Sequence, residues 1–109
     1  MEERSVFLNI VGDSPKARIL DFLLMFPKFD YSLTDIARNS NVGYSTLQLL
    51  WSDLVDGEIV IQTRIIGKAK LFKLNEENPI VQEMLNWSWN VTKQAVNQEL
   101  NRDKIKVSV

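Results

Sequence analysis

Residues 32–60 read SLTDIARNSNVGYSTLQLLWSDLVDGEIV and contain two helical patterns separated by a short turn. Ser32 is placed to cap the first helix, and Asp35 lies near the positive end of that helix dipole. Asn41-Val42-Gly43 is typical of a tight turn, and residues 44–56 predict a second helix. Apolar residues recur in this second helix at i, i+3, i+4 and i+7, which indicates one buried stripe formed by Leu47, Leu50, Trp51 and Leu54.

The flanking residues add a helix before this pair and a hairpin after it. Ser14 followed by Pro15 favours a helix start, and the helix is predicted over residues 15–26. Gly57 is placed as the left-handed stop of helix 44–56. A run rich in β-branched residues is followed by a glycine turn and a second run, which predicts a β-hairpin with strand 59–66, turn Gly67-Lys68 and strand 70–74.

The two ends of the chain carry weaker patterns. Asn78-Pro79 opens a long polar and apolar helix predicted over residues 79–100. An N-terminal arm, residues 1–13, and a tail, residues 101–109, are each expected to be a short strand or disordered. The hairpin and the three helices before it form one domain over residues 14–78.

Three helices followed by a hairpin is the element order of a winged helix-turn-helix. The segments LTDIA (33–37), VGYSTL (42–47) and LVDGEIV (54–60) resemble the helix-turn-helix core of the ArsR/MarR-like transcription regulators of archaea and bacteria. FKLN (72–75) followed by NPIV (78–81) is similar to the point where the wing of such proteins joins the last helix. The resemblance implies a mainly α fold with a small β-hairpin wing (α+β), a winged helix-turn-helix with a long C-terminal helix.

Composition limits the possible chemistry. The 109 residues are enough for one domain, and their 0 Cys and 0 His remove thiol nucleophiles, the usual zinc sites and the commonest general base. We therefore expect a protein that is not an enzyme and has no cofactor or metal, and the metal sensing of some ArsR proteins does not carry over. The apolar runs are too short to cross a bilayer, and the polar start, Met1 to Arg4, is unlike an export signal, so a cytoplasmic protein without membrane contact is expected.

Charge is distributed unevenly along the chain. The net charge is -1, but residues 58–75, called the wing here, contain four cations and one carboxylate. We expect the cations to hold the phosphates of double-stranded DNA, as the resemblance implies for a wing, and name Arg64, Lys68 and Lys70 as phosphate contacts. The alternative is a hairpin face exposed only to solvent.

Helix 44–56 has the polar face that a major groove requires. Gln48 is suited to a bidentate contact with adenine, and Thr46 with the helix N-terminus is suited to a phosphate. The helix contains no Lys or Arg, and Leu49 interrupts its polar face, so a thymine-methyl contact and a protein-binding face both remain open. The predicted DNA contacts of this helix are Tyr44, Ser45, Thr46, Gln48 and Ser52.

The last helix is more apolar than the edge of a small domain requires. We expect it to form a homodimer, which would place two recognition helices about one DNA turn, ~34 Å, apart. The alternative is packing on helix 15–26 of the same chain. The predicted interface residues are Ile80, Met84, Trp87 and Val91.

Two functions follow from this sequence. The first is a sequence-specific, double-stranded DNA-binding transcription regulator, with helix 44–56 in the major groove and the wing on the phosphate backbone. The second is a winged-helix protein–protein interaction module of a larger assembly, with weak or no DNA binding.

Overall fold

The computed structural model of the protein describes residues 5–108, with side chains through residue 101. Its elements in chain order are α1 (Val6–Val11), α2 (Pro15–Met25), β1 (Tyr31–Ser32), α3 (Leu33–Ser40), α4 (Tyr44–Asp56), β2 (Val60–Ile66), β3 (Ala69–Leu74) and α5 (Pro79–Ser108). The strands form an antiparallel sheet in the order β1-β3-β2. The predicted fold class, a mainly helical winged helix-turn-helix with a hairpin and a long C-terminal helix, is confirmed.

Two predicted helix starts are confirmed by their hydrogen bonds. The Ser14 hydroxyl accepts the backbone N–H of Ala17 at 3.1 Å, and the Ser32 hydroxyl accepts that of Asp35 at 3.2 Å. Each bond satisfies an N–H that the first turn of a helix leaves without a partner. The turn between α3 and α4 starts at Asn41, whose φ of 56° lies in the left-handed region that Asn tolerates.

The end of α4 differs from the prediction that Gly57 is its left-handed stop. Gly57 has a φ of -80°, whereas Glu58 has a left-handed φ of 56°. The Glu58 carbonyl accepts hydrogen bonds from the side-chain amides of Asn75 and Asn78, both at 3.0 Å, which hold the chain in this conformation. A Cβ at Gly57 would lie 3.3 Å from the Asp53 carbonyl oxygen, which is a tight contact.

The structure also differs from the prediction at both ends. Within the predicted arm, residues 6–11 form helix α1, whose N-cap Ser5 accepts the N–H of Leu8 at 3.1 Å. So short a helix depends on tertiary packing, and α1 packs against α2 and α5. At the other end α5 continues to Ser108 as one helix, instead of ending before a separate tail. Residues 1–4 and 109, also assigned to the arm and tail, lie outside the described residues.

One core lies between the helices and the sheet. Its fully buried side chains come from every layer and include Ile19 and Leu23 of α2, Leu47 of α4, Leu74 of β3 and Val81 of α5. β1, which the sequence analysis did not predict, joins the sheet by pairing with β3. None of the helices within residues 5–108 has the length and apolar character needed to cross a bilayer.

Asn78 connects the start of α5 to the turn after α4. Its amide nitrogen donates to the Glu58 carbonyl, and its Oδ1 accepts the N–H of Ile80 at 2.9 Å in the first turn of α5. We expect Asn78→Ala to lower the free energy of unfolding by about 1–3 kcal/mol, because both bonds are lost. Urea denaturation would measure this change. Asn90→Ala, at an exposed site in the same helix, is the control and should leave stability unchanged or slightly higher.

Candidate nucleic-acid interface

The position of α4 is set by its buried stripe. Leu47, Trp51 and Leu54 are buried in the core, and the Trp51 ring meets the Phe72 ring of β3 edge-on, with centroids 5.3 Å apart. This contact fixes α4 against the strand that leads from the tip of the wing back to the core. The angle between helix and wing is therefore set by packing.

The opposite face of α4 is exposed. Among the five DNA contacts predicted on this helix, Thr46 is half-buried and the other four are exposed: Tyr44, Ser45, Gln48 and Ser52. Leu49 lies on the same face and is 80% exposed, the highest value among the large apolar side chains described. The exposed face therefore offers hydroxyl and amide groups around one apolar side chain.

A cleft of about 530 Å³ separates the start of α4 from the wing. Tyr44 lies on the α4 side and Lys68 and Lys70 on the wing side, so the structure brings together predicted DNA contacts from two separate elements. The remaining lining residues are Ser32, Leu33, Thr34, Ala69 and Phe72. Thr34 was not predicted, although its position in the first turn of α3 is a signal that could have pointed to it.

A β-bulge divides the wing side chains between the two sides of the sheet. Gln62 pairs with Phe72 and Arg64 with Leu71, so Thr63 is an extra residue in β2. Directly paired residues of antiparallel strands share a side of the sheet. The helix-facing side, which carries the buried residues Val60, Phe72 and Leu74, therefore also carries the pair Ile65 and Lys70, and the outer side carries Ile61, Arg64 and Ile66.

Arg64, a predicted phosphate contact, is held by a carboxylate on the outer side. Its Nε and Nη2 donate to the two oxygens of Asp30 at 2.9 and 3.2 Å, and the Thr63 hydroxyl donates to the same group. These contacts lower the pKa of Asp30 and raise that of Arg64. A guanidinium has five N–H donors, so Asp30 orients this one while leaving others available.

The other three wing cations differ in whether they form an ion pair with a carboxylate. Lys73 lies 3.5 Å from Glu76, which also accepts a 2.7 Å hydrogen bond from Lys28. Both lysines lower the pKa of Glu76, Lys28 more strongly. Within the described part of the chain, Lys68 and Lys70 form no ion pair. The positive charge available to a ligand is therefore concentrated at the wing tip.

The predicted dimer residues of α5 fall into two groups. Ile80 is exposed, whereas Met84 packs against the core and Trp87 meets Phe7 of α1 edge-on, with ring centroids 5.7 Å apart. Val91 is half-buried and lines a shallow groove shared with α1. The predicted stripe is thus partly covered within the chain. The exposed large apolar side chains of α1 and α5 are Ile10, Val11, Ile80, Trp87, Trp89, Val96 and Leu100.

A second cleft, of about 460 Å³, lies between α1, α2 and α5. Phe7, Leu24, Met25 and Trp89 give it apolar walls, and Asp21 places a carboxylate in it. Burial raises the pKa of Asp21, an effect partly opposed by a hydrogen bond with the Ser5 hydroxyl. The sequence does not predict this cleft, because the cleft depends on helix α1, which is not predicted either.

The arrangement of α2, α3, α4 and the wing defines a winged helix-turn-helix protein. No protein-family model and no curated protein sequence matches the chain. Among solved structures, NadR in complex with 4-hydroxyphenylacetate is similar, with a TM-score of 0.62, 17% identity and coverage of 93% of this chain and 72% of NadR. These structural relatives are MarR/ArsR-type winged-helix transcription regulators.

Two further structures show the same fold. The antimony-specific transcriptional repressor AntR has a TM-score of 0.58 and 18% identity, over 84% of this chain and 78% of AntR. ZitR of Lactococcus lactis, solved in complex with DNA, has a TM-score of 0.57 and 15% identity, over 85% of this chain and 63% of ZitR. At such identities the similarity establishes the fold, and the resemblance to the ArsR/MarR-like regulators is confirmed at that level.

The raised pKa of Asp21 gives stability a pH dependence. Because the folded-state pKa lies above 3.8, the value of an unperturbed Asp, the ionised carboxylate opposes folding at neutral pH. This cost disappears as the pH falls through the folded-state pKa. Asp21→Asn should therefore raise the melting temperature by roughly 2 °C at neutral pH, with the difference vanishing towards about pH 4. Thermal unfolding over a pH series tests this, and a pH-independent difference would contradict it.

Proposed function

We propose that this protein is a sequence-specific DNA-binding transcription regulator in which α4 enters the major groove and the wing contacts the phosphate backbone. The observation that carries the proposal is the cleft shared by Tyr44, Lys68 and Lys70, which sets the first residue of the exposed face of α4 beside the unpaired lysines of the wing. A recognition helix needs polar groups near its N-terminus, and backbone binding needs cations next to it.

The roles of the individual residues follow from their placement. Gln48 is exposed and is assigned to a base edge, together with Tyr44, Ser45 and Ser52. Thr46 is half-buried near the N-terminus of α4, where Gly43 offers no side-chain cap, and is assigned to a phosphate. In the wing, Lys68 and Lys70 are assigned to phosphates, and Arg64 to a phosphate through donors that Asp30 does not use.

The similar structures support a regulator in preference to an enzyme. NadR, AntR and ZitR are transcription regulators, and the ZitR structure contains DNA. The proposed partners of this chain are accordingly double-stranded DNA and a second copy of itself.

Salt dependence of DNA binding tests the role of the wing. If Lys68, Lys70 and Arg64 of two protomers each neutralise one phosphate, the log–log slope of affinity against salt is about -5, and without Arg64 it is about -4. We expect Lys68→Glu/Lys70→Glu to weaken binding to a ~30-base-pair duplex more than about tenfold and to flatten this slope. Fluorescence anisotropy over a salt series measures both quantities.

Lys16→Glu, at an exposed position in α2, is the control for a reversed charge away from the wing, and it changes the net charge by half as much as the double variant. It should retain the wild-type slope, because α2 lies outside the proposed interface. A wild-type protein that binds no duplex at low salt would refute the regulator. That result would favour a protein-docking module and direct attention to Leu49.

The proposed homodimer rests on the apolar surface that α1 and α5 leave exposed. α5 has 30 residues and is therefore about 45 Å long, which extends it well beyond its contacts with the core near Val81. Trp89 is 63% exposed, and Val96 and Leu100 continue the apolar surface along the same helix. The proposed interface keeps the residues predicted from the sequence, Ile80, Met84, Trp87 and Val91. Two of them also make contacts within the chain, since Met84 packs against the core and Trp87 against Phe7.

Charge placed on the far half of α5 tests the dimer. Val96→Glu/Leu100→Glu should convert a dimer into a monomer in sedimentation equilibrium, because two carboxylates would be buried without partners. Ile61→Glu, at an exposed apolar site on the sheet, should remain dimeric. A wild-type protein that sediments as a monomer at all concentrations would show that this surface does not form a homodimer.

A further inference from the structure

Leu49 is an apolar side chain in the middle of the exposed polar face of α4. It is 80% exposed, whereas Leu47, Trp51 and Leu54 of the same helix are buried in the core. The buried stripe is sufficient to anchor α4, so Leu49 lies outside the core. The contacts assigned to Gln48 and the other polar residues of α4 also give Leu49 no role.

The surroundings of Leu49 limit the kind of surface that it suits. Residues three and four positions apart are neighbours on the surface of a helix. For Leu49 these are polar residues, and all except Thr46 are exposed: Ser45, Thr46, Ser52 and Asp53. A protein-binding surface has a contiguous apolar centre within a polar rim, whereas Leu49 is surrounded by polar groups. Its position therefore suits a partner that presents one small apolar group among hydrogen-bonding groups.

An A·T base pair presents such a pattern in the major groove. Adenine offers the N7 acceptor and the N6 amino donor, and thymine offers the O4 acceptor beside its C5-methyl group. The methyl group is the apolar element of this pattern, and apolar side chains recognise thymine through it. A leucine side chain can make this contact and gains no comparable contact from a G·C pair.

The composition of α4 also favours A·T pairs. The commonest specific contact to guanine is a bidentate hydrogen bond from Arg or Lys, and α4 contains neither residue. Gln48, which directly precedes Leu49, has the amide group that matches adenine. The helix therefore combines a side chain suited to adenine with one suited to the methyl group of thymine.

We propose that Leu49 is a specificity-determining residue that packs against the C5-methyl group of a thymine in the base pairs contacted by α4. Recognition helices place their N-terminal residues on base edges, and Leu49 lies in the N-terminal half of α4, which begins at Tyr44. The inference rests on the proposed function and deepens it, because it names a base that each half of the DNA site contains.

Replacement of thymine by deoxyuridine tests this contact, because it removes the C5-methyl group and keeps the hydrogen-bonding groups of the base. The DNA site is first selected from a random pool of duplexes with the full-length wild-type protein, and the thymines of one half-site are then replaced one at a time. One replacement should weaken wild-type binding about fourfold, and the same replacement in both half-sites about fifteenfold. Leu49→Ala should bind the thymine and deoxyuridine duplexes equally in fluorescence anisotropy.

Val55→Ala is the matched control for this experiment. Val55 is an apolar residue of the same helix that is 41% exposed, and it lies about 9 Å further along the axis than Leu49. This variant should keep the wild-type preference for thymine over deoxyuridine. Alanine is the best helix former, so both variants should keep the fold, which thermal unfolding checks.

The remaining outcomes separate this inference from the proposed function. A preference for thymine that persists in Leu49→Ala overturns the methyl contact, and so does wild-type binding that no deoxyuridine replacement weakens. In both cases a wild-type protein that selects one DNA sequence leaves the proposed function standing. A wild-type protein that enriches no sequence from the pool overturns the sequence-specific function and this inference together.

Discussion

The edge-on contact between Trp51 and Phe72 is the interaction on which the rest of the exposed surface depends. Trp51 belongs to the buried stripe of α4, and Phe72 lies in the central strand of the sheet, paired to both β1 and β2. Because β3 continues from Phe72 to the wing tip, a single packed pair of rings relates the polar face of α4 to Lys68 and Lys70. Leu47 and Leu54 of α4 and Val60 of β2 belong to the same core cluster and support this relation.

The bulge at Thr63 adds a second constraint within the wing. Without the extra residue, strand alternation from Val60 would place Arg64 on the helix-facing side and Ile65 on the outer side. With it, Arg64 reaches Asp30, while Ile65 and Lys70 lie on the helix-facing side of the sheet. The ion pair between Arg64 and Asp30 connects the hairpin to the segment before β1. The bulge therefore determines which side chains of β2 lie on each side of the sheet and also allows the ion pair that stabilises this strand.

The sequence predicted those parts of the fold whose signals are local. Ser14, Ser32, the apolar stripe of α4 and the two-residue turn at Gly67 each act within a few residues, and each is found as predicted. The features that the sequence did not predict depend on partners that are far away in the chain. α1 is stabilised by α2 and α5, and β1 forms by pairing with β3. The left-handed conformation is found at Glu58 instead of Gly57, because two asparagines beyond β3 donate hydrogen bonds to the Glu58 carbonyl.

The same distinction applies to the candidate site. Exposure of Tyr44, Ser45, Gln48 and Ser52 followed from helical periodicity, which is local. The ion-pair partners of the cations could not be predicted in this way, because Asp30 and Arg64 are 34 residues apart in the chain. Among the described residues, the structure therefore leaves two unpaired lysines in the wing where the sequence offered four cations.

This distribution of charge has a consequence for how the protein would read DNA. Nonspecific affinity comes mainly from cations on phosphates, and α4 has none, so in the proposed mode the wing supplies that attraction. Base contacts by Gln48 and its neighbours would then form only where α4 and the sequence match. Two protomers joined through α1 and α5 would double the few available cations. Because the chain has a net charge of -1, its affinity for DNA would in the proposed mode depend on dimerisation.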